Sequence, residues 1–145
     1  MERHSRPSIL VVCVHNSGRS QLAEAYLRRF GGDRLHVRSA GSQPRPLNPL
    51  VVDALLEDGI DIRGKRPVDV RALHDAGARF DYVIGVCDRE ALDGCPVFPA
   101  ERSRLHWPFP DPAALSGSDE ARRAAVRELR DRIRERCRRF CAELT

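Results

Sequence analysis

Lysine is all but missing from this chain of 145 residues: Lys65 is the only one among 25 basic residues, so arginine is its default surface cation. Aromatic residues make up only 6%, with Tyr26 and Tyr82 as the sole tyrosines, although a hydrophobic share of 41% still supports a packed core. No apolar run approaches the ~20 residues that a membrane-spanning helix requires, so no membrane partner is expected. The opening Met1–Pro7 segment is charged but leads into only four aliphatic residues, too few for a secretory signal, and the expected location is the cytoplasm. Internal repeats, low-complexity linkers and compositional breaks are all absent, and residues 1–145 read as one domain, monomeric by default. A chain of this length buries roughly 70% of its unfolded surface, so neither disulfides nor metals are needed to hold it together. Five cysteines without an export signal do not suggest a disulfide framework; the odd count suits one nucleophile plus others in separate roles. The basic excess of +4 is concentrated on one predicted helix, which carries nine arginines between Arg122 and Arg139. A solvated helix face accounts for it better than a nucleic-acid surface, and no nucleic-acid partner is expected.

What the chain does have is Ile9-Leu10-Val11-Val12-Cys13-Val14-His15-Asn16-Ser17-Gly18-Arg19-Ser20. The aliphatic run reads as a buried strand, Ser17-Gly18 as a turn, and the segment from Ser20 as a helix. Cys13 therefore closes a strand and opens a strand–loop–helix unit. Backbone N–H groups in such a loop and at the helix N-terminus converge on an oxyanion, and the same positive field favours a thiolate at Cys13. Arg19 adds a planar, bidentate grip on a tetrahedral anion, and Ser20 can hydrogen-bond the sulfur. The bland alternative is a half-buried strand cysteine, an ordinary turn and a surface arginine; the agreement of strand, turn and helix favours the functional reading. The candidate oxyanion loop thus comprises Val14, His15, Asn16, Ser17, Gly18, Arg19 and Ser20, with the His15 side chain pointing outward and Asn16 holding the loop conformation.

Further along, Ser20–Phe30 reads as a helix with Leu22, Ala23, Tyr26, Leu27 and Phe30 on one side, ended by Gly31-Gly32. Leu35–Ser39 reads as a strand and Ala40–Pro44 as a turn. Asn48 and Pro49 open a helix that stops at Gly59; Val70–Ala76 is a short helix, and Phe80–Val86 a strand that again delivers a cysteine, Cys87. Arg104–Trp107 is a fourth strand, and Ser116–Leu144 a long helix opened by a capping box, Ser116-x-x-Asp119, with Val126, Leu129, Ile133, Cys137, Phe140 and Leu144 as its buried stripe. Cys137 and Cys141, one turn apart, read as buried structural thiols. Strands alternating with helices predict an α/β fold with a four-stranded parallel sheet and helices on both faces. In such a sheet ligands bind at the carboxyl ends of the strands, where both Cys13 and Cys87 fall.

Two more stretches carry chemistry. In Cys87–Pro99, Cys87 and Cys95 can meet if the loop between them folds or shifts, making a redox pair beside Cys13; Cys-x7-Cys-x10-His is not zinc-ligand spacing. In His106-Trp107-Pro108-Phe109-Pro110-Asp111-Pro112, a carboxyl group on a Pro-braced loop can serve as a general acid over the oxyanion, the alternative being a plain Asp-Pro turn.

Together these residues resemble the low-molecular-weight protein tyrosine phosphatases and the arsenate reductases built on the same fold, through Cys13-x5-Arg19-Ser20. Cys87, Cys95-Pro96 and His-Trp-x-x-x-Asp-Pro resemble the thioredoxin-coupled reductase branch. Ser39-Ala40-Gly41 and Asn48-Pro49 through Ile62 fit as well, so the resemblance spans nearly the whole chain. It implies reduction of arsenate to arsenite, with Cys13 as nucleophile, Arg19 as anion clamp, Asp111 as acid, and Cys87 and Cys95 as successive partners in a disulfide relay. It implies no tightly bound cofactor but an external thiol donor, thioredoxin or glutaredoxin. Some relatives hold a potassium ion behind the loop, and the matching positions here are Asn16, Glu24, Ser39 and Asp69. The 88–94 segment would be the least ordered part of the reduced fold, since Cys95 has to travel. Two rivals stay open: a phosphatase using Cys13, Arg19 and Asp111 with water, and a non-catalytic, arginine-rich binding protein on the same fold. The phosphatases usually place tyrosines after the acid, whereas Asp111-Pro112 is followed here by Ala113-Ala114-Leu115, which weighs against an aryl phosphate.

Overall fold

The structure is a computed structural model and describes residues 6–88 and 96–144. Four strands, β1 (Ser8–Cys13), β2 (His36–Gly41), β3 (Tyr82–Gly85) and β4 (Ser103–His106), form a parallel sheet in the order β2-β1-β3-β4. Ile9, Leu10, Val11 and Val12 are all fully buried, so both faces of the central strand are covered, as a continuous aliphatic run requires. The cover includes α1 (Arg19–Gly31), α2 (Pro49–Glu57), α3 (Val70–Asp75) and the long C-terminal α4 (Asp119–Glu143). The expected four-stranded parallel α/β architecture is the one observed.

The strand order places the functional crevice. From β1 the chain steps outward to β2, then returns to lay β3 on the other side of β1. At such a switch point the loops leaving the two strands diverge and open a crevice at their carboxyl ends. Cys13 ends β1, and the Val86 N–H donates to the Val12 carbonyl at 3.1 Å, carrying the ladder to the doorstep of Cys87.

Most boundaries follow local chemistry. Asn48 caps α2 by accepting from the Leu50 N–H with Pro49 in the first turn, and Asp69 caps α3 by accepting from the Arg71 N–H. Two expectations need correction. β2 does not turn away at Ala40: it runs on to Gly41, which pairs with Cys13, donates to the Val68 carbonyl at 2.9 Å and bridges to Asp69. α4 does not start from a Ser116 box. Gly117 has φ +105, outside helical space, so the helix begins after it, with the Ser118 side chain accepting from the Ala121 N–H.

All nine arginines of α4 are engaged within the chain. Arg123 pairs with Asp53, Arg127 and Arg130 with Glu57, and Arg134 with Asp58, which seam α4 to the end of α2. Arg132 and Arg136 lie over the Phe109 and Trp107 rings, while Arg122, Arg138 and Arg139 pair within the helix. Hydrogen bonds from Arg127 hold the Glu57 carboxyl down to about 2. Exposed pairs contribute little each; together they give this helix an intramolecular use for its charge. Cys137 and Cys141 are buried, and desolvation pushes both thiols up, which makes them poor nucleophiles. Among the described residues no helix is long and apolar enough to cross a membrane.

Candidate active site

The loop after β1 has its carbonyls drawn outward. Val14, His15 and Ser17 carbonyls accept from the Gln43, Arg45 and Asn48 N–H groups at 2.8, 3.1 and 2.9 Å, and the Asn16 carbonyl accepts from Gln21 Nε2 at 2.8 Å. With its oxygens committed to this outer frame, the loop is free to turn N–H groups inward around a common centre, the arrangement of an anion nest. Gly18 caps α1 without a side-chain acceptor, which leaves the first-turn amides of the helix available to an anion. Asn16 makes the bend by adopting φ +50, which asparagine tolerates better than most residues.

Cys13 Sγ, 3% exposed, receives the Asn16 N–H at 3.3 Å and contacts Ser20 Oγ at 2.9 Å. A buried polar chain fixes the direction of that second bond. Ser39 donates its hydroxyl proton to Glu24 Oε1 at 2.5 Å, so its oxygen is the acceptor for Asn16 Nδ2 at 2.9 Å. The other Asn16 amide proton goes to Ser20 Oγ at 2.8 Å, leaving the Ser20 proton for the sulfur. Asn16 Oδ1 accepts from the Val68 N–H at 2.8 Å, so this single side chain ties the loop to α1, β2 and the segment before α3.

Arg19 is 5% exposed; its Nη1 donates to the Phe109 carbonyl at 3.0 Å and its Nη2 lies 3.8 Å from Asp111 Oδ2. Asp111, 40% exposed, accepts from the Ala113 N–H through Oδ1, and Pro112 packs against Gly18. The acid loop is therefore laid directly over the oxyanion loop, with one carboxylate oxygen fixed and the other facing Arg19. Cys87 is fully buried, and His106 Nε2 meets its carbonyl at 2.6 Å. Extending the β1–β3 register places Val86 beside Cys13, so Cys87 follows one residue further on, where the chain leaves the sheet. Cys95, with the 89–94 segment, lies outside the described residues. His15 is half-buried, its Nδ1 2.9 Å from the Gln43 carbonyl, away from the sulfur as expected. Asn16, Glu24 and Ser39 converge behind the loop, whereas Asp69 caps α3 and pairs with Arg71.

Several contributors were not singled out in the sequence. Gln21 frames the loop, the Phe109 carbonyl orients Arg19, His106 holds the Cys87 backbone, and Lys65 pairs with Glu24. Backbone carbonyls carry no sequence signal, and Lys65 lies 41 residues from Glu24; its being the only lysine was the available clue.

Gly41 is the least substitutable residue of the frame. A Cβ there would fall 2.5 Å from the Val14 carbonyl oxygen, 2.9 Å from the Asn16 nitrogen and 2.9 Å from the Cys13 carbonyl oxygen, all of them loop backbone. Gly41→Ala is expected to cost about 3 kcal/mol, the upper end of overpacking penalties, and to abolish stabilisation by inorganic phosphate. Urea denaturation and thermal shift with and without phosphate check this, with Gly64→Ala, whose Cβ would meet nothing within 4 Å, as the silent control.

The sequence pattern of the low molecular weight phosphotyrosine protein phosphatase family matches residues 8–145. An arsenate reductase of Bacillus licheniformis is 41% identical over 138 residues, covering 94% of this chain and 96% of that protein. Among solved structures, an arsenate reductase from Archaeoglobus fulgidus is 27% identical with a TM-score of 0.71, over 93% of this chain and 98% of that one. A thioredoxin-dependent arsenate reductase of Corynebacterium glutamicum is 33% identical with a TM-score of 0.67; 95% of this chain matches 61% of that longer one.

Proposed function

The chain belongs to the low molecular weight phosphotyrosine protein phosphatase family, and we propose that it is an arsenate reductase that works by a thiol relay. The observation that carries the proposal is the placement of two buried cysteines, Cys13 and Cys87, at the carboxyl ends of adjacent parallel strands, the first of them inside an oxyanion loop. A phosphatase needs only the first. The identity to curated arsenate reductases supports the same reading.

In the first step the Cys13 thiolate attacks arsenate held by the loop amides and Arg19, and Asp111 protonates the departing hydroxyl, which leaves as water. The product is a covalent Cys13–arsenic(V) adduct. Cys87 then attacks the Cys13 sulfur: an S–S bond forms, the S–As bond breaks, and its electron pair stays on arsenic, which leaves as arsenite. The two thiols have lost two electrons and arsenic has gained them. Cys95 attacks the Cys87 sulfur in turn, giving a Cys87–Cys95 disulfide and returning the Cys13 thiolate. An external dithiol protein of the thioredoxin type reduces that last bond; the thioredoxin-dependent relative favours this donor over glutaredoxin.

The lack of an aromatic residue in Pro112-Ala113-Ala114-Leu115, just after Asp111, supports arsenate over an aryl phosphate. Ala113 and Ala114, in the turn after Asp111, are exposed and present only methyl groups at the mouth. The test is one protein in two assays. With arsenate, thioredoxin, thioredoxin reductase and NADPH, we expect arsenite to form in step with NADPH oxidation. With a chromogenic aryl phosphate, we expect turnover at least about 10²-fold lower in kcat/KM, the discrimination available when a binding platform is missing. Efficient aryl phosphate hydrolysis without arsenite production would overturn the proposal.

A further inference from the structure

Behind the oxyanion loop, Glu24 is buried to 2% exposure on α1, yet its carboxylate is fully paired. Oε1 accepts from Ser39 Oγ at 2.5 Å and lies 2.5 Å from Lys65 Nζ, and Oε2 lies 2.7 Å from Arg28 Nη2. The residues matching a potassium site do not suit a free ion here. Asp69 is spent on α3 and Arg71, Asn16 Oδ1 is spent on the Val68 N–H, and the Glu24 oxygen that would face the ion already faces an ammonium. The adjoining cavity of about 190 Å³ is also lined by Arg28, Arg38 and Arg66, which repel a second cation.

We propose that Lys65 is a tethered replacement for a monovalent cation, a positioning residue that holds the loop through Glu24 without any ion from solution. The residue type is informative. This chain uses arginine at every other basic position, and here alone it uses the side chain that ends in a compact point charge rather than a planar fork. An ammonium and a potassium ion are close in size and charge, so one can stand where the other would. The effect reaches the nucleophile along the bonded path already described. With Lys65 in place, Glu24 stays an acceptor for Ser39, Ser39 for Asn16, and the Ser20 proton is left for Cys13 sulfur. Buried polar chains of this kind act as units.

The inference rests on Cys13 as the nucleophile of an oxyanion loop but not on arsenate, so its test needs no turnover. Thermal unfolding and the rate of Cys13 alkylation by neutral iodoacetamide at one fixed pH are measured in potassium, ammonium and tetramethylammonium chloride at equal ionic strength. The wild-type protein is expected to give the same values in all three salts. Lys65→Ala in tetramethylammonium is expected to melt about 3–5 °C lower and to alkylate about 3-fold more slowly or worse, the scale of coupling through a packed network. Potassium and ammonium should restore at least half of both losses; the side chain removed leaves room, and Gln21 Oε1, which is buried without a hydrogen-bond partner, supplies a further oxygen at the cavity wall. A wild-type protein stabilised by potassium as strongly as the variant would overturn the proposal, as would a variant that matches wild type or one whose losses are equal in all three salts. The wild-type comparison decides the matter even if the variant folds poorly, and failure here leaves the arsenate assay untouched.

Discussion

Cys87→Ser is expected to stop catalytic arsenite production, lowering turnover by at least about 10³-fold, the scale seen when a covalent participant is removed, while leaving the Cys13 site intact. The serine hydroxyl is nearly isosteric with the thiol, and the loop's frame is built on Gln21, Gln43, Arg45 and Asn48, which the substitution leaves in place, so phosphate binding and Cys13 alkylation should stay within about 2-fold of wild type, with stability lowered by about 1 kcal/mol for a hydroxyl in a buried site. What is lost is the second sulfur. Without it the adduct on Cys13 has no adjacent thiolate to attack sulfur and leave the electron pair on arsenic. This variant also separates the two enzymatic readings: a phosphatase resolves its adduct with water, so hydrolysis of an aryl phosphate would survive the same substitution. Arsenite production unchanged in Cys87→Ser would mean that electrons reach arsenic by another route and that the relay is wrong.

The fold was largely legible because its strongest signals are local. Four aliphatics followed by cysteine can be buried only in a central strand, and Asn48-Pro49 starts a helix by chemistry confined to three residues. Where the reading failed, neighbours distant in sequence decide. Gly41 falls in the stretch Ala40–Pro44 that reads as a turn, but its lack of a side chain lets the loop backbone lie against it, and pairing with Cys13 keeps it in the strand. Ser116 and Ser118 are equal as capping residues; the positive φ of Gly117 between them selects the second. At the site, the Cys13-x5-Arg19-Ser20 loop stands out by its spacing and Asp111 by its place on a Pro-braced loop. The polar chain from Lys65 through Glu24, Ser39 and Asn16 does not, because it joins residues from four separate segments and only the folded sheet brings them together.

Arg19→Lys tests whether the clamp needs a fork or only a charge. Arg19 is held at 5% exposure by the Phe109 carbonyl on one nitrogen, with Asp111 3.8 Å from the other, so its plane is set before any anion arrives. A lysine at this position has one nitrogen on a flexible stem; if it satisfies the Phe109 carbonyl it is drawn off the anion, and if it follows the anion it leaves a buried carbonyl without its donor. Either way the transition state loses one preorganised donor, a loss of about 10²–10³ in kcat/KM, or roughly 3–4 kcal/mol. The fall should appear in both kcat and phosphate affinity, because the clamp also orients Asp111 toward the departing oxygen. Cys13 alkylation by a neutral reagent should change far less, since the hydrogen bonds to the sulfur come from the Asn16 amide and Ser20 rather than from Arg19. Steady-state kinetics with arsenate, phosphate inhibition and iodoacetamide labelling on the same variant resolve these effects. If Arg19→Lys kept kcat/KM within about 5-fold, less than the loss of even one oxyanion donor, bidentate recognition by Arg19 would have to be abandoned, and the loop amides alone would carry the oxyanion.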